Sequence, residues 1–340
     1  MRTYAAACSS SREGAPGGIH IMDISKGCSP RAARNGINLA RLRSALRLCA
    51  CATLPLILTA CHWAVLDPRG PVGRADRTIL IDSLAIMLAI GVPTIIATFA
   101  FAWWFRASNT RARYRPDWEF SGAIELVVWA IPAMVIILLG GVAWIGSHEL
   151  DPAKPLSDRV APLDVQVVSL DWKWLFIYPQ EGVASVNQLV VPVGVPLRFS
   201  LTSASVWNVF FVPQLGSMIY TMNGMRTQMN LQADEIGTLH GLSAHFSGDG
   251  FSDMHFPVRV VRADDFAAWV KASRGVGPTL DDTTYMALAR QSANLPASTF
   301  GAVTPELFAK VLRQELPPGP GPSTERGGAA EAPEAPRKGH

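Results

Sequence analysis

Two long runs without charge dominate the first half of the chain: Ser83 to Phe105 and Leu126 to Ser147. Each is long enough to cross a hydrocarbon core of about 30 Å as a helix. Pro93 and Pro132 fall inside them, and proline is tolerated in membrane spans. Trp103, Trp104 and Trp144 sit near the run ends, where amphipathic rings prefer the interface. From Leu163 the period changes to two. Apolar residues alternate with polar ones in 195–202, 227–232 and 256–260. Alternation marks half-buried strands, and the Gly- and Pro-containing stretches at 192–194, 213–216 and 248–250 read as turns between them. The pattern predicts a two-helix membrane hairpin over 79–148 and an all-β sandwich over 160–262. Residues 263–316 read as a helical extension. Residues 317–340, rich in Pro, Gly, Ala and Glu, read as a disordered tail.

Charge orients the hairpin. The loop between the runs carries Arg106, Arg111, Arg113 and Arg115 against Asp117 and Glu119. The flank after the second run carries Glu149, Asp151, Lys154 and Asp158. Positive charge stays cytoplasmic, so the loop faces inward and everything after residue 148 faces outward. Glu125 opens the second run among apolar neighbours. A carboxylate there is a candidate proton-uptake group. It is equally a helix N-terminal carboxylate favoured by the macrodipole. Both readings stay open at this point.

The chain has 340 residues, 30 basic against 27 acidic, 49% hydrophobic and 17% charged. Its mean hydropathy is +0.20. The balance excludes a wholly disordered chain and gives no basic patch for nucleic acid. All five cysteines (Cys8, Cys28, Cys49, Cys51 and Cys61) lie at or before residue 61. Beyond it there is no disulfide, thiolate nucleophile or cysteine-bound metal. Residues 31–47 carry five arginines and no acid, and 48–60 is an uncharged run ending Leu58-Thr59-Ala60-Cys61. That order reads as a signal peptide over 1–60. The competing reading is an uncleaved membrane helix, for which the run is short. The basic part is also longer than a signal peptide uses, which places the working start downstream of Met1.

Four strings carry a resemblance: Leu66-Asp67-Pro68-Arg69-Gly70, Phe105-Arg106-Ala107-Ser108-Asn109, the run from Asp171 to Pro179, and the run from Leu215 to Tyr220. With the lipobox-like Cys61, the hairpin and the outer sandwich, they resemble the copper-less branch of haem-copper oxidase subunit II, the bacterial cytochrome bo-type ubiquinol oxidase subunit II. The resemblance runs from residue 58 to about 316. It implies a cupredoxin-like periplasmic domain on a bacterial inner-membrane subunit. It also implies lipid attachment at Cys61, with 61–78 as the anchored segment. The expected partners are oxidase subunits I, III and IV, with ubiquinol as substrate of the complex. Haems and copper are expected in subunit I and no cofactor in this chain. A menaquinol oxidase subunit and a free-standing lipoprotein assembly factor are the alternatives.

In the cytochrome c branch, the resemblance implies, two copper ions are held by a His before a Val-Pro and by a Cys-x-Glu-x-Cys-x-x-x-His-x-x-Met loop. The matching positions here are Asn208, Ser243, His245, Ser247, Phe251 and Met254. Only Met254 is kept, so no dinuclear centre and no cytochrome c partner are expected. His240, His245 and His255 beside Met254 offer a mononuclear alternative, but a blue-copper site needs a cysteine. They read instead as surface or packed histidines. Trp172, Trp174, Phe176 and Tyr178 are expected to pack against a neighbouring subunit or the membrane surface. Met218, Met222, Met225 and Met229 read as pliable packing.

Overall fold

The computed structural model describes residues 64–113, 115–156 and 160–321. Cys61 and the leader expected over 1–60 lie outside the described residues, as do residues 322–340.

Helix α1 spans Pro71–Trp104 and α2 spans Gly122–Glu149. Both are long and apolar enough to cross a membrane. Their apolar side chains point outward, as with Phe99 at 71% and Ile137 at 75% exposure. Outward apolar faces are what lipid or a membrane partner would cover. Thr94 and Thr98 donate their hydroxyls to the carbonyls of Ile90 and Thr94 at 2.8 Å, which satisfies them within the helix. At the far end of α1, Arg106 and Asn109 reach back to the carbonyls of Trp103 and Trp104. One of the four quoted strings is therefore a helix C-cap made by side chains.

Helix α1 starts well ahead of the uncharged run. Pro71 sits in its first turn, where a missing N–H costs nothing. The polar turns that follow are held by the outer domain rather than by lipid. Arg69 N–H donates to Gln214 O at 2.7 Å, Gly73 N–H to Leu215 O at 2.9 Å, and Asp234 N–H to Arg69 O at 2.8 Å. Arg69 pairs with Asp67 and Glu235, and Arg74 with Asp234.

The outer domain contains β1 (Leu163–Leu170), β2 (Lys173–Tyr178), β3 (Val183–Val186), β4 (Leu189–Pro192) and β5 (Pro196–Ser203). It continues with β6 (Asn208–Phe211), β7 (Ile219–Thr221), β8 (Thr227–Gln232), β9 (Gly237–Ser243) and β10 (His255–Val261). Then come α3 (Ala263–Ser273), β11 (Thr279–Leu280), α4 (Asp282–Leu288), β12 (Ser298–Phe300), β13 (Ala302–Val303) and α5 (Leu307–Leu312). One sheet has the order β12-β3-β2-β1-β5-β8, the other β4-β10-β9-β6-β7. β1 runs parallel to β5 and β4 parallel to β10, so each half of this sandwich mixes strand directions. Between the sheets lies a core of Val165, Val167, Trp174, Phe176, Phe199, Phe210, Met229 and Phe256. The rings of Phe210 and Phe256 stack at 5.6 Å, and Trp174 meets Phe210 edge-on at 5.5 Å.

Three expectations change. The extension over 263–316 is not purely helical. Its short helices alternate with strands, and β12 joins the large sheet beside β3. Gly275, Gly277 and Pro278, then Pro296, interrupt any longer helix. The tail does not loosen at 317. Gly319 N–H donates to Ala204 O and Gly321 N–H to an Asp171 carboxylate oxygen, each at 2.9 Å. Proline at 317, 318 and 320 limits the entropy lost on docking. Finally, Trp174, Phe176 and Tyr178 are fully buried within this chain's own core rather than turned toward a neighbour.

Candidate functional site

The site is built where β6 and β9 end together. Register pairs Phe210 with Ser243, which brings Asn208, the first residue of β6, beside the last residue of β9. The loop 244–254 then leaves β9 and returns as β10. It is pinned by Ser243 N–H to Met254 O at 2.9 Å and by Ala244 N–H to Val209 O at 3.2 Å.

Four of the six expected positions lie in two pairs at this strand end and in the loop that leaves it. Ser243 Oγ donates to Asn208 Oδ1 at 3.2 Å, and Ser247 Oγ lies 3.9 Å from Met254 Sδ. All four residues are buried. Trp172 closes the loop from below, donating its indole N–H to Ser247 O at 3.1 Å. It lies so close to Gly250 that a Cβ there would meet the indole at 2.5 Å. His245 is exposed, with its ring 5.7 Å from that of Tyr220. Phe251 is half-buried against the exposed Phe246, at 5.7 Å. His240 and His255 are exposed on adjacent strands. Among the described residues no group of three His, Cys, Asp or Glu side chains is placed to hold a metal ion.

Glu125 lies in the first turn of α2, its backbone N–H bonded to Ser121 O at 3.0 Å and its side chain exposed. The position is compatible with both of its readings.

The model of the COX Aromatic Rich Motif family matches residues 271–318. Cytochrome bo(3) ubiquinol oxidase subunit 2 of Pseudomonas aeruginosa is 46% identical over 257 residues, covering 76% of this chain and 78% of that protein. Ubiquinol oxidase subunit 2 of Acetobacter aceti is 47% identical over 259 residues, covering 76% and 84%. The chain belongs to the ubiquinol oxidase subunit 2 family. Among solved structures, the periplasmic domain of subunit II of cytochrome oxidase from Bradyrhizobium japonicum is 27% identical. It covers 33% of this chain and 93% of that one, with a TM-score of 0.32.

In this chain the aromatic-rich segment forms a third layer. Tyr285, Phe300, Leu307 and Phe308 cover the outer face of the large sheet at Val168, Leu170, Leu175 and Ile177. Lys173 ties the layer down, and sequence reasoning missed it. Its side chain is fully buried. The ammonium donates to Arg290 O and Ser292 Oγ, both at 2.6 Å, and to Asp171 O at 3.3 Å. Burial lowers its pKa to about 8, opposed by the Asp171 charge. Asp171 itself accepts from Ser205 Oγ and from Gly321 N–H. A lone lysine in an otherwise apolar string was the available signal, since a buried charge needs partners.

Proposed function

We propose that this chain is the second subunit of a membrane-bound ubiquinol oxidase, a complex that oxidises ubiquinol, reduces oxygen to water and moves protons outward. Its own outer domain passes no electrons. The buried Ser243–Asn208 pair, in a loop with the spacing of bridging thiolates, is the observation that carries this reading. Thiolates bridge soft copper ions; a protonated hydroxyl is a hard, weak donor and cannot. Here the two serines are hydrogen-bonded within the loop, and the chain has no cysteine after residue 61. The residues present do not fit a dinuclear copper centre.

The haems and copper of the complex are assigned to subunit I, on which the hairpin would pack, with subunits III and IV as further neighbours. Cleavage before Cys61 and acylation of its sulfur would anchor the outer domain in the inner membrane. The arginine-rich loop at 106–115 supports the orientation with residues after 148 in the periplasm. A menaquinol oxidase or a free-standing assembly factor gains no support from relatives named ubiquinol oxidase subunit 2.

Isolation in mild detergent tests the proposal. The chain is expected to co-purify with a haem-bearing partner and to support oxygen uptake with ubiquinol but not with ferrocytochrome c. Oxygen uptake driven by ferrocytochrome c at the quinol rate would refute it. In the same preparation Glu125→Gln is expected to lower turnover by roughly tenfold, less than the loss of a group that itself reacts. Unchanged turnover, with only the ~0.3–1 kcal/mol loss of stability due to the macrodipole, would instead assign Glu125 a purely structural place.

A further inference from the structure

Helix α2 ends at Glu149, and the chain turns back at once to lie against β8. Asn230 fixes that turn, donating its backbone N–H to Pro152 O at 2.8 Å and its side-chain amide to Pro152 O and Ala153 O at 3.2 and 3.1 Å. Ser217 is likewise committed, to Asp76 at 3.0 Å. Between the turn, β8 and the first turn of α1 lies a cavity of about 200 Å³.

Its chemistry is divided. The wall is apolar at Val72, Leu150, Met229 and Leu231, while Glu149 and Lys154 stand at the rim. Both rim residues are exposed. Among the described residues neither side chain has a hydrogen-bond or ion-pair partner, and the two do not pair with each other. Asp151 accepts from Ala153 N–H at 2.9 Å through one carboxylate oxygen, and among the described residues the other has no partner. The level is that of an outer membrane interface. Trp144, 68% exposed, lies on α2 just before the rim, and such rings mark headgroup depth.

We propose that this cavity binds an outer-leaflet phospholipid with a primary-amine headgroup, a phosphatidylethanolamine. The ammonium meets Glu149 and Asp151, the phosphate meets Lys154, and the glycerol and first acyl carbons lie on the apolar wall. An anionic lipid without the amine keeps the phosphate on Lys154 but brings no cation to the two carboxylates, so the rim selects the zwitterion. This rests on α1 and α2 spanning the bilayer and adds a ligand that the oxidase reading does not need.

The test uses the purified, delipidated complex. Phosphatidylethanolamine or phosphatidylglycerol is added back at equal concentration and bound lipid is counted by native mass spectrometry. The intact complex is expected to hold one more phosphatidylethanolamine than a Glu149→Gln/Lys154→Gln variant, with retention weakened about tenfold. Leu150→Trp, which fills the cavity, is expected to do the same. Equal retention of the two lipids, or equal retention by intact and variant complexes, would overturn the site. Haem spectrum and quinol oxidation are expected to stay unchanged in both variants. Failure here would therefore leave the oxidase reading standing.

Discussion

A complex carrying Asn208→His, Ser243→Cys, His245→Glu, Ser247→Cys and Phe251→His is expected to bind two copper ions and to show near-infrared mixed-valence absorption. The frame for them is in place. Asn208, Ser243, Ser247 and Met254 already occupy buried positions, and the Ser243 backbone is pinned to Met254. What is missing is donor softness, which two thiolates supply. The exchange Ser→Cys changes one atom, and a buried cysteine behaves as a small hydrophobe when no metal is present. The variant is therefore expected to fold with or without copper. Metal analysis of the purified complex and an absorption spectrum check it. A folded variant without stoichiometric copper would show that the loop, and not only its donors, has changed.

Gly70→Ala is expected to lower the thermal midpoint of the outer domain by roughly 5–10 °C, from a loss of about 2–3 kcal/mol. The cause is space. At φ −148° the backbone accepts any residue. A Cβ on Gly70, however, would stand 2.2 Å from the Gln232 carbonyl oxygen and 3.4 Å from that of Leu215. Both are backbone atoms in the segments that hold α1, so neither can swing away. Relief would stretch the bonds from Arg69 to Gln214 and from Gly73 to Leu215. Gly91→Ala is the control, since nothing lies within 4 Å of a Cβ there. Equal melting of the two variants in the assembled complex would show that the junction is softer than its contacts indicate.

Much of this architecture was legible because each part has its own period. Uninterrupted apolar runs gave the spans, and strict alternation gave β5, β8 and β10. Where alternation failed, the reason is visible. β1 and β2 are covered on both faces, by the second sheet and by the aromatic-rich layer, so Trp174, Leu175, Phe176 and Ile177 are all buried. A doubly covered strand loses its polar side, and its aromatics then read as contacts for a neighbour. The start of α1 was hidden for the opposite reason. Arg69, Arg74 and Asp76 look like a loop outside the membrane, and only their partners across the chain make them a helix end. The candidate loop was legible position by position from its spacing. The burial of Lys173 was not, because its acceptors come from Arg290 and Ser292, far along the chain.

The third layer also bears on mutational tolerance. Cohesion of the outer domain comes from two apolar interfaces that share the large sheet, while the loop at 244–254 hangs from one end of the smaller sheet. Apart from Met254, which belongs to the core between the sheets, exchange of side chains in that loop leaves both interfaces intact. Its chemistry is thus free to drift under selection for a different electron donor, without the fold registering the change.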